Sequence, residues 1–131
     1  MNIQIVLSNL KKGVYKEAFS RLYGSSEKAQ EYQTKRYIKA VESFLEIFPT
    51  RNDVNLYSAP GRTEIGGNHT DHQQGSVLAG AVNLDAIAIV SFHNAGCIRL
   101  KSEGFEQITI DLSDIGVHQG ELGTSAIVRG I

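Results

Sequence analysis

The chain has 131 residues, of which 41% are hydrophobic and 21% are charged, and its formal net charge is -1. These values are typical of one ordinary globular domain, and the lack of a net positive charge excludes nucleic acid and anionic membranes as expected partners. The single cysteine, Cys97, excludes an intrachain disulfide and a cysteine-based zinc site, which favours a reducing, cytoplasmic location.

Helices are predicted over residues 1–50. The first ten residues have no charged leader and no typical cleavage site, which argues against a secretory signal. One face of a first helix, stopping at Gly24, is predicted from apolar residues at helical spacing: Leu10, Val14, Ala18 and Leu22. Ser25 or Ser26 would cap a second helix, which Pro49 would end. The apolar stripe of this second helix is predicted to be core: Tyr37, Ile38, Val41, Phe44, Leu45 and Phe48.

Strands are predicted over residues 53–113, where apolar residues alternate with polar ones or form short runs. The candidates are Val54–Ala59, one long or two short strands in Val77–Phe92, Ile98–Leu100, and Ile108–Leu112. Hairpin turns are predicted at Asn94-Ala95-Gly96 and at Glu103-Gly104, because asparagine and glycine tolerate positive φ. The apolar run Val77–Val90 is broken by Asn83 and Asp85 and is too short to span a membrane.

The last stretch, residues 120–131, predicts the start of a helix capped at Thr124 or a neighbour. Apolar residues are still accumulating where the sequence ends, which predicts a truncated chain. The expected fold class is therefore α+β, with two N-terminal helices followed by a mostly antiparallel sheet, forming part of a larger domain.

One segment, residues 59–75, concentrates the polar chemistry of the chain. It reads as a glycine-rich loop between two strands, and such loops let the backbone approach a ligand. Three interpretations follow from the residue types alone. Arg62, Asn68, His69 and Asp71 could bind the hydroxyls of a sugar or polyol. Alternatively, His69, Asp71 and His72 could bind a metal ion, or the segment could be a polar turn that satisfies its own backbone.

The same segment resembles the signature of galactokinases. The resemblance is carried by Pro60-Gly61-Arg62, by Ile65 and Gly67, and by His69-Thr70-Asp71 followed by Gly75, and it covers residues 53–92. Galactokinases are GHMP small-molecule kinases, which transfer the γ-phosphoryl group of ATP, with Mg²⁺, to a hydroxyl of a metabolite. The resemblance implies galactose as the substrate and its anomeric hydroxyl as the acceptor.

Residue roles follow from the resemblance by position. Arg62 stands in the place of the family's active-site arginine, beside the reacting hydroxyl, where it would stabilise charge during transfer. Asn68, His69 and Asp71 stand in sugar-binding places, and Asp71 would accept hydrogen bonds from adjacent ring hydroxyls. No metal ligand is assigned to this chain, and its ATP-binding residues are not identified.

The sequence departs from the family pattern mainly at two positions, with lesser departures at Gly66 and His72. Asn68 stands where the family usually has glutamate, and Glu64 where it usually has asparagine. Since an amide both donates and accepts, Asn68 could bind a hydroxyl with an altered preference, which leaves another sugar such as N-acetylgalactosamine open.

The family's phosphate loop and catalytic aspartate lie further along the chain, and no such loop follows Asp71. The 131 residues alone are therefore expected to be inactive. A non-catalytic galactose-binding or sensor protein is the alternative from another class, and self-association through exposed apolar surface is expected of an incomplete domain.

Overall fold

The computed structural model describes residues 1–67 and 74–131 and divides them into two compact units, Met1–Phe92 and His93–Ile131. The first unit contains α1 (Ile3–Lys11), α2 (Lys16–Tyr23), α3 (Glu27–Ile47), β1 (Asn55–Gly66) and β2 (Leu78–Val90). The second contains β3 (Cys97–Leu100), β4 (Ile108–Asp111) and α4 (Thr124–Arg129). The fold is α+β, with helices first and antiparallel strands after them, as predicted.

The N-terminal helical region differs from the prediction of one helix ending at Gly24. The side chain of Asn2 caps α1 by accepting from the backbone N–H groups of Gln4 and Ile5, so this helix begins at residue 3. Gly13 then adopts a φ of +71°, which is a left-handed conformation and interrupts the helix. Two short helices replace the single predicted one, and the spacing of apolar residues across the break does not mark one face.

The core of the first unit is formed by α1, α2, α3 and Val54, which directly precedes β1. Its buried residues are Ile3, Val6, Leu10, Phe19, Tyr37, Val41 and Val54. Val14 and Leu22, which were predicted to share a buried face with Leu10, are instead 59% and 57% exposed. The stripe predicted on α3 is confirmed in its central part, since Tyr37 and Val41 are buried while Ile38, Phe44 and Leu45 pack against the cluster.

An exposed ion pair joins α1 to α3 outside this core. Lys11 Nζ lies 3.0 Å from Glu42 Oε1, and about half of each side chain is exposed, 54% and 48%. Solvent and salt screen such a pair, so Glu42→Gln is expected to change the free energy of unfolding by less than about 1 kcal/mol. Urea unfolding followed by circular dichroism measures this change, and a loss of several kcal/mol would show that the pair does more than its exposure predicts.

The strands form two separate antiparallel ribbons. In the first unit β1 pairs with β2 along almost the whole length of both strands, from Asn55 opposite Val90 to Gly66 opposite Leu78. The candidate at Val77–Phe92 is thus a single long strand. The sequence predicted that the first strand ends at Ala59. β1 instead continues for seven more residues of the glycine-rich segment, up to Gly66.

The second unit is small. β3 pairs with β4, from Cys97 opposite Asp111 to Leu100 opposite Ile108, and Ile110 is its buried residue. The predicted hairpin at Glu103-Gly104 lies between these strands, and Gly104 has a φ of +81°. The predicted hairpin at Asn94-Ala95-Gly96 is wrong, because the strand that follows it pairs with β4. Within the described ranges, no helix is long and apolar enough to cross a membrane.

Candidate functional site

Arg62 lies on β1, not on a loop. It is exposed and stands opposite Ala81 of β2, and the following pairs are Thr63 with Gly80 and Glu64 with Ala79. The hydrogen-bonded ribbon restricts the backbone at Arg62 more than a free loop would. A position on a strand would suit the role predicted for Arg62, in which the guanidinium meets a small reacting group in one orientation.

The ladder is irregular immediately before Arg62. Pro60 pairs with Asp85, whereas Arg62 pairs with Ala81, so Gly61 alone stands opposite the three β2 residues 82–84. A Cβ at Gly61 would lie 3.1 Å from the carbonyl oxygen of Leu84, which is tighter than ordinary van der Waals contact. Glycine therefore permits the close approach of the strands at this bulge, and bulges change the direction in which neighbouring side chains point.

A second close backbone contact lies directly after β1, next to the segment that contains the predicted sugar-binding residues. Gly67 has a φ of +119°, and a Cβ there would lie 2.8 Å from the Cα of Val77 and 2.9 Å from the carbonyl oxygen of Ser76. Only glycine fits at this position, both because of its φ and because the opposite backbone is so close. We call the contact of Gly67 with Ser76 and Val77 the neck. The neck brings the two ends of the intervening segment together.

The predicted sugar-binding residues Asn68, His69 and Asp71 lie outside the described residues, as does His72, which was considered with them as a metal ligand. The structure places Arg62 on β1 and the neck at Gly67 directly after that strand, and the roles of Arg62, Asn68, His69 and Asp71 all stay predictions. Within residues 1–67 and 74–131, no three potential metal-binding side chains lie together.

Sequence reasoning missed a polar cluster centred on Asp85 of β2. The side chain of Asp85 is only 4% exposed and is paired with Arg36 of α3, whose Nη1 donates to Oδ1. At Oδ2 it accepts from the hydroxyl of Tyr23 at 2.6 Å and from that of Ser58 at 2.5 Å. The cluster thus joins α2, α3, β1 and β2.

The hydroxyl of Tyr37 extends the cluster into the helical core. It lies 2.9 Å from the hydroxyl of Tyr23. A hydroxyl carries one proton, so Tyr23, which donates to Asp85, accepts here from Tyr37. The only sequence signal for this cluster was Asp85 itself, a carboxylate inside an apolar strand, since a buried charge requires a partner.

The cluster holds Asp85 in its ionised form. Burial alone would raise the pKa of Asp85, but hydrogen bonds from Ser58, Tyr23 and Arg36 stabilise the carboxylate, and the net effect lowers the pKa below its usual value. Burial and the hydrogen bond to the Asp85 carboxylate raise the pKa of Tyr23. Both shifts keep the carboxylate charged and the phenol neutral at physiological pH.

A cavity of about 190 Å³ lies in the first unit away from Arg62. It is lined mainly by apolar residues, together with two tyrosines and one serine: Met1, Leu10, Tyr15, Ala18, Phe19, Leu22, Tyr37, Leu56 and Ser58. A sugar needs several convergent hydrogen-bonding groups, so this apolar cavity does not suit it.

Comparison with known proteins connects the ribbon to one family. Residues 42–92 match the galactokinase galactose-binding signature. The chain is 27% identical over 89 residues to the galactokinase of Lactococcus lactis subsp. cremoris, covering 66% of this chain and 22% of that protein. It is 31% identical over 67 residues to that of Bacillus subtilis, covering 51% and 17%, and 33% identical over 82 residues to that of Lacticaseibacillus casei, covering 63% and 21%.

These matches confirm the resemblance to galactokinases. The chain spans about a fifth of the length of the curated relatives that it matches. No solved structure matches it. The signature region contains the last part of α3 and all of the β1–β2 ribbon, and it therefore includes Arg62, the neck at Gly67 and Asp85.

Proposed function

We propose, from the galactokinase galactose-binding signature that residues 42–92 carry, that the complete protein is a sugar kinase that phosphorylates the anomeric hydroxyl of galactose with ATP. The observation that carries the proposal is the position of this signature on the ribbon. Arg62 lies on β1 and the neck at Gly67 directly follows that strand, so one ribbon connects the arginine to the start of the polar segment.

The proposed mechanism is mostly positioning and charge stabilisation. The phosphoryl group in transfer carries negative charge, and the guanidinium of Arg62 would stabilise it beside the accepting hydroxyl. Asn68, His69 and Asp71 would bind the sugar, with Asp71 accepting hydrogen bonds from adjacent ring hydroxyls. The transferred group comes from ATP, assisted by Mg²⁺. No magnesium ligand of this chain is proposed.

A panel of sugars tests the proposal. The complete protein is incubated with ATP, Mg²⁺ and one sugar at a time, and ADP formation is measured. We expect formation with galactose and much less with its C4 epimer glucose, because a wrong epimer leaves a buried polar group unpaired at a cost of about 1–3 kcal/mol. Turnover with N-acetylgalactosamine and not with galactose would replace the substrate. Binding of galactose without any turnover would favour the sensor alternative.

The role of Asp71 can be tested separately. Asp71→Asn keeps the size of the side chain and replaces one accepting oxygen by a donor, so it should raise the KM for galactose about tenfold or more. Asp53→Asn is the matched control, because Asp53 is exposed and precedes the ribbon. If both variants keep the KM of the parent protein, Asp71 does not bind the sugar.

We also propose that the complete protein is a cytoplasmic enzyme and that its ligands are galactose and ATP. The 131 residues alone are expected to be inactive, because the family's phosphate loop and catalytic aspartate lie further along the relatives' chains. Self-association of the 131 residues alone stays a prediction, and light scattering would measure it.

A further inference from the structure

The β1–β2 ribbon has two halves with different surroundings. In the half that begins at Asn55 and Val90, the side chains of Leu56, Ile87 and Ile89 pack against the helical core. In the half towards Gly67, most residues of both strands are exposed, including the run Gly61–Thr63. Packing of β2 against the core reaches Ile87, and the pair Pro60–Asp85 follows it, beside the bulge at Gly61.

The Asp85 cluster lies at this boundary. Arg36 holds both the side chain and the backbone of Asp85, because its Nη2 donates to the carbonyl oxygen of Asp85 at 2.7 Å while its Nη1 donates to the carboxylate. Pro60, the ladder partner of Asp85, has no backbone N–H to offer the ladder. The guanidinium of Arg36 therefore provides a donor to the main chain of the ribbon where the ladder itself is weakened.

The cluster also holds the strand that carries Arg62. Ser58 of β1 donates to the Asp85 carboxylate at 2.5 Å, and Arg62 lies four residues further along the same strand. Both strands are thus fixed to the helices on the near side of the bulge, while Arg62 lies on its far side. Any shift of the ribbon at Asp85 would move the backbone that carries Arg62.

We propose that Arg36 and Asp85 are positioning residues for Arg62, which they hold in place by fixing both strands of the ribbon to α3 at the bulge. This proposal rests on the proposed function for the role of Arg62 in phosphoryl transfer. Transfer depends on charge-stabilising groups held close to one geometry, and small misplacements lower the rate strongly. Neither Arg36 nor Asp85 needs to touch the sugar or the phosphate.

The test uses Arg36→Lys in the complete protein. Lysine keeps the charge but not the planar fork, so it cannot hold the carboxylate and the carbonyl oxygen of Asp85 together. We expect kcat with galactose to fall about tenfold or more while the KM changes less than about twofold, because the sugar-binding residues are untouched. Protected amides of residues 62–66 should exchange with deuterium faster, while those of α1 keep their rates.

Two further variants sharpen the test. Arg21→Lys is the matched control. Arg21 lies on α2 and forms a solvent-exposed ion pair with Glu17, so the same substitution is made in a pair that does not include Asp85. Tyr23→Phe removes one hydrogen bond to Asp85 without altering a charge, and it should give a smaller effect in the same direction.

Unchanged exchange at residues 62–66 in Arg36→Lys would overturn the proposal. Equal acceleration in α1 would also overturn it, since that result means general destabilisation. A parent protein that does not phosphorylate any sugar would refute the proposed function instead, and the exchange rates would still decide whether Arg36 fixes the segment that carries Arg62.

Discussion

Asp85→Asn is expected to lower the free energy of unfolding of the first unit by about 2–3 kcal/mol. The substitution removes the negative charge that compensates Arg36 and leaves the amide group among donors that it cannot all accept. Removing one partner of a fully buried ion pair costs about 3–5 kcal/mol. The Arg36 side chain is 26% exposed and can recover part of its hydration, so we expect the smaller loss of about 2–3 kcal/mol.

This stabilisation should depend on pH in a definite direction. The folded state lowers the pKa of Asp85 below its ordinary value of 3.8, so the contribution is fully present above that pH and is lost as the pH falls through the lower, folded-state pKa. The difference in stability between the parent protein and Asp85→Asn should therefore be constant near neutrality and should shrink in acid below 3.8.

Urea unfolding followed by circular dichroism, repeated across this pH range, measures both effects. Glu42→Gln serves as the control, because it breaks an exposed pair between α1 and α3 and should show little change at neutral pH. A difference for Asp85→Asn below about 1 kcal/mol at neutral pH would place this cluster with ordinary surface pairs.

The sequence predicted those elements whose stability comes from local patterning. α3 was recognised from its apolar stripe and from Pro49, and the second hairpin from Glu103-Gly104. The first helix was misread because residues on either side of Gly13 happen to continue one helical spacing. The left-handed φ of Gly13 interrupts that spacing, and a separate helix, α2, follows, in which Phe19 is the buried residue.

The ribbon was only partly predictable. Glycine and proline usually interrupt strands, and the sequence accordingly predicted a loop from Ala59 onward. In the structure, Gly61 lies at a bulge where a Cβ would be too close to the carbonyl of Leu84, and β1 continues through it. Tertiary pairing with β2 thus overrides the local preference.

The candidate site was likewise predictable only in part. The signature around Arg62 is contiguous in sequence and could be recognised, and the match over residues 42–92 confirms the resemblance. The cluster at Asp85 joins residues that are 27, 49 and 62 positions away in the chain. Such a set has no local spacing to recognise, and only the isolated carboxylate in an apolar strand pointed to it.

Gly67→Ala is expected to destabilise the ribbon by about 3 kcal/mol and to weaken galactose binding by the complete protein at least tenfold. Alanine rarely adopts a φ of +119°, and its Cβ would lie 2.8 Å from the Cα of Val77. Since the clash is with backbone, a side-chain rotation cannot relieve it, and the neck next to the predicted sugar-binding segment must open. Urea unfolding gives the stability, and isothermal titration with galactose gives the affinity.

Two other glycines separate the causes of this effect. Gly24 has a φ of +92°, and no atom lies within 4 Å of the position that a Cβ would take, so Gly24→Ala carries the strain of the φ alone, about 1–2 kcal/mol. Gly61 is close to Leu84 and Val82 without a positive φ, so Gly61→Ala carries only the steric part. If Gly67→Ala costs no more than Gly24→Ala, the strands are not in close contact at the neck. A larger cost together with weaker galactose binding would mean that strand contact at Gly67 shapes the sugar site, because neither control alters that contact.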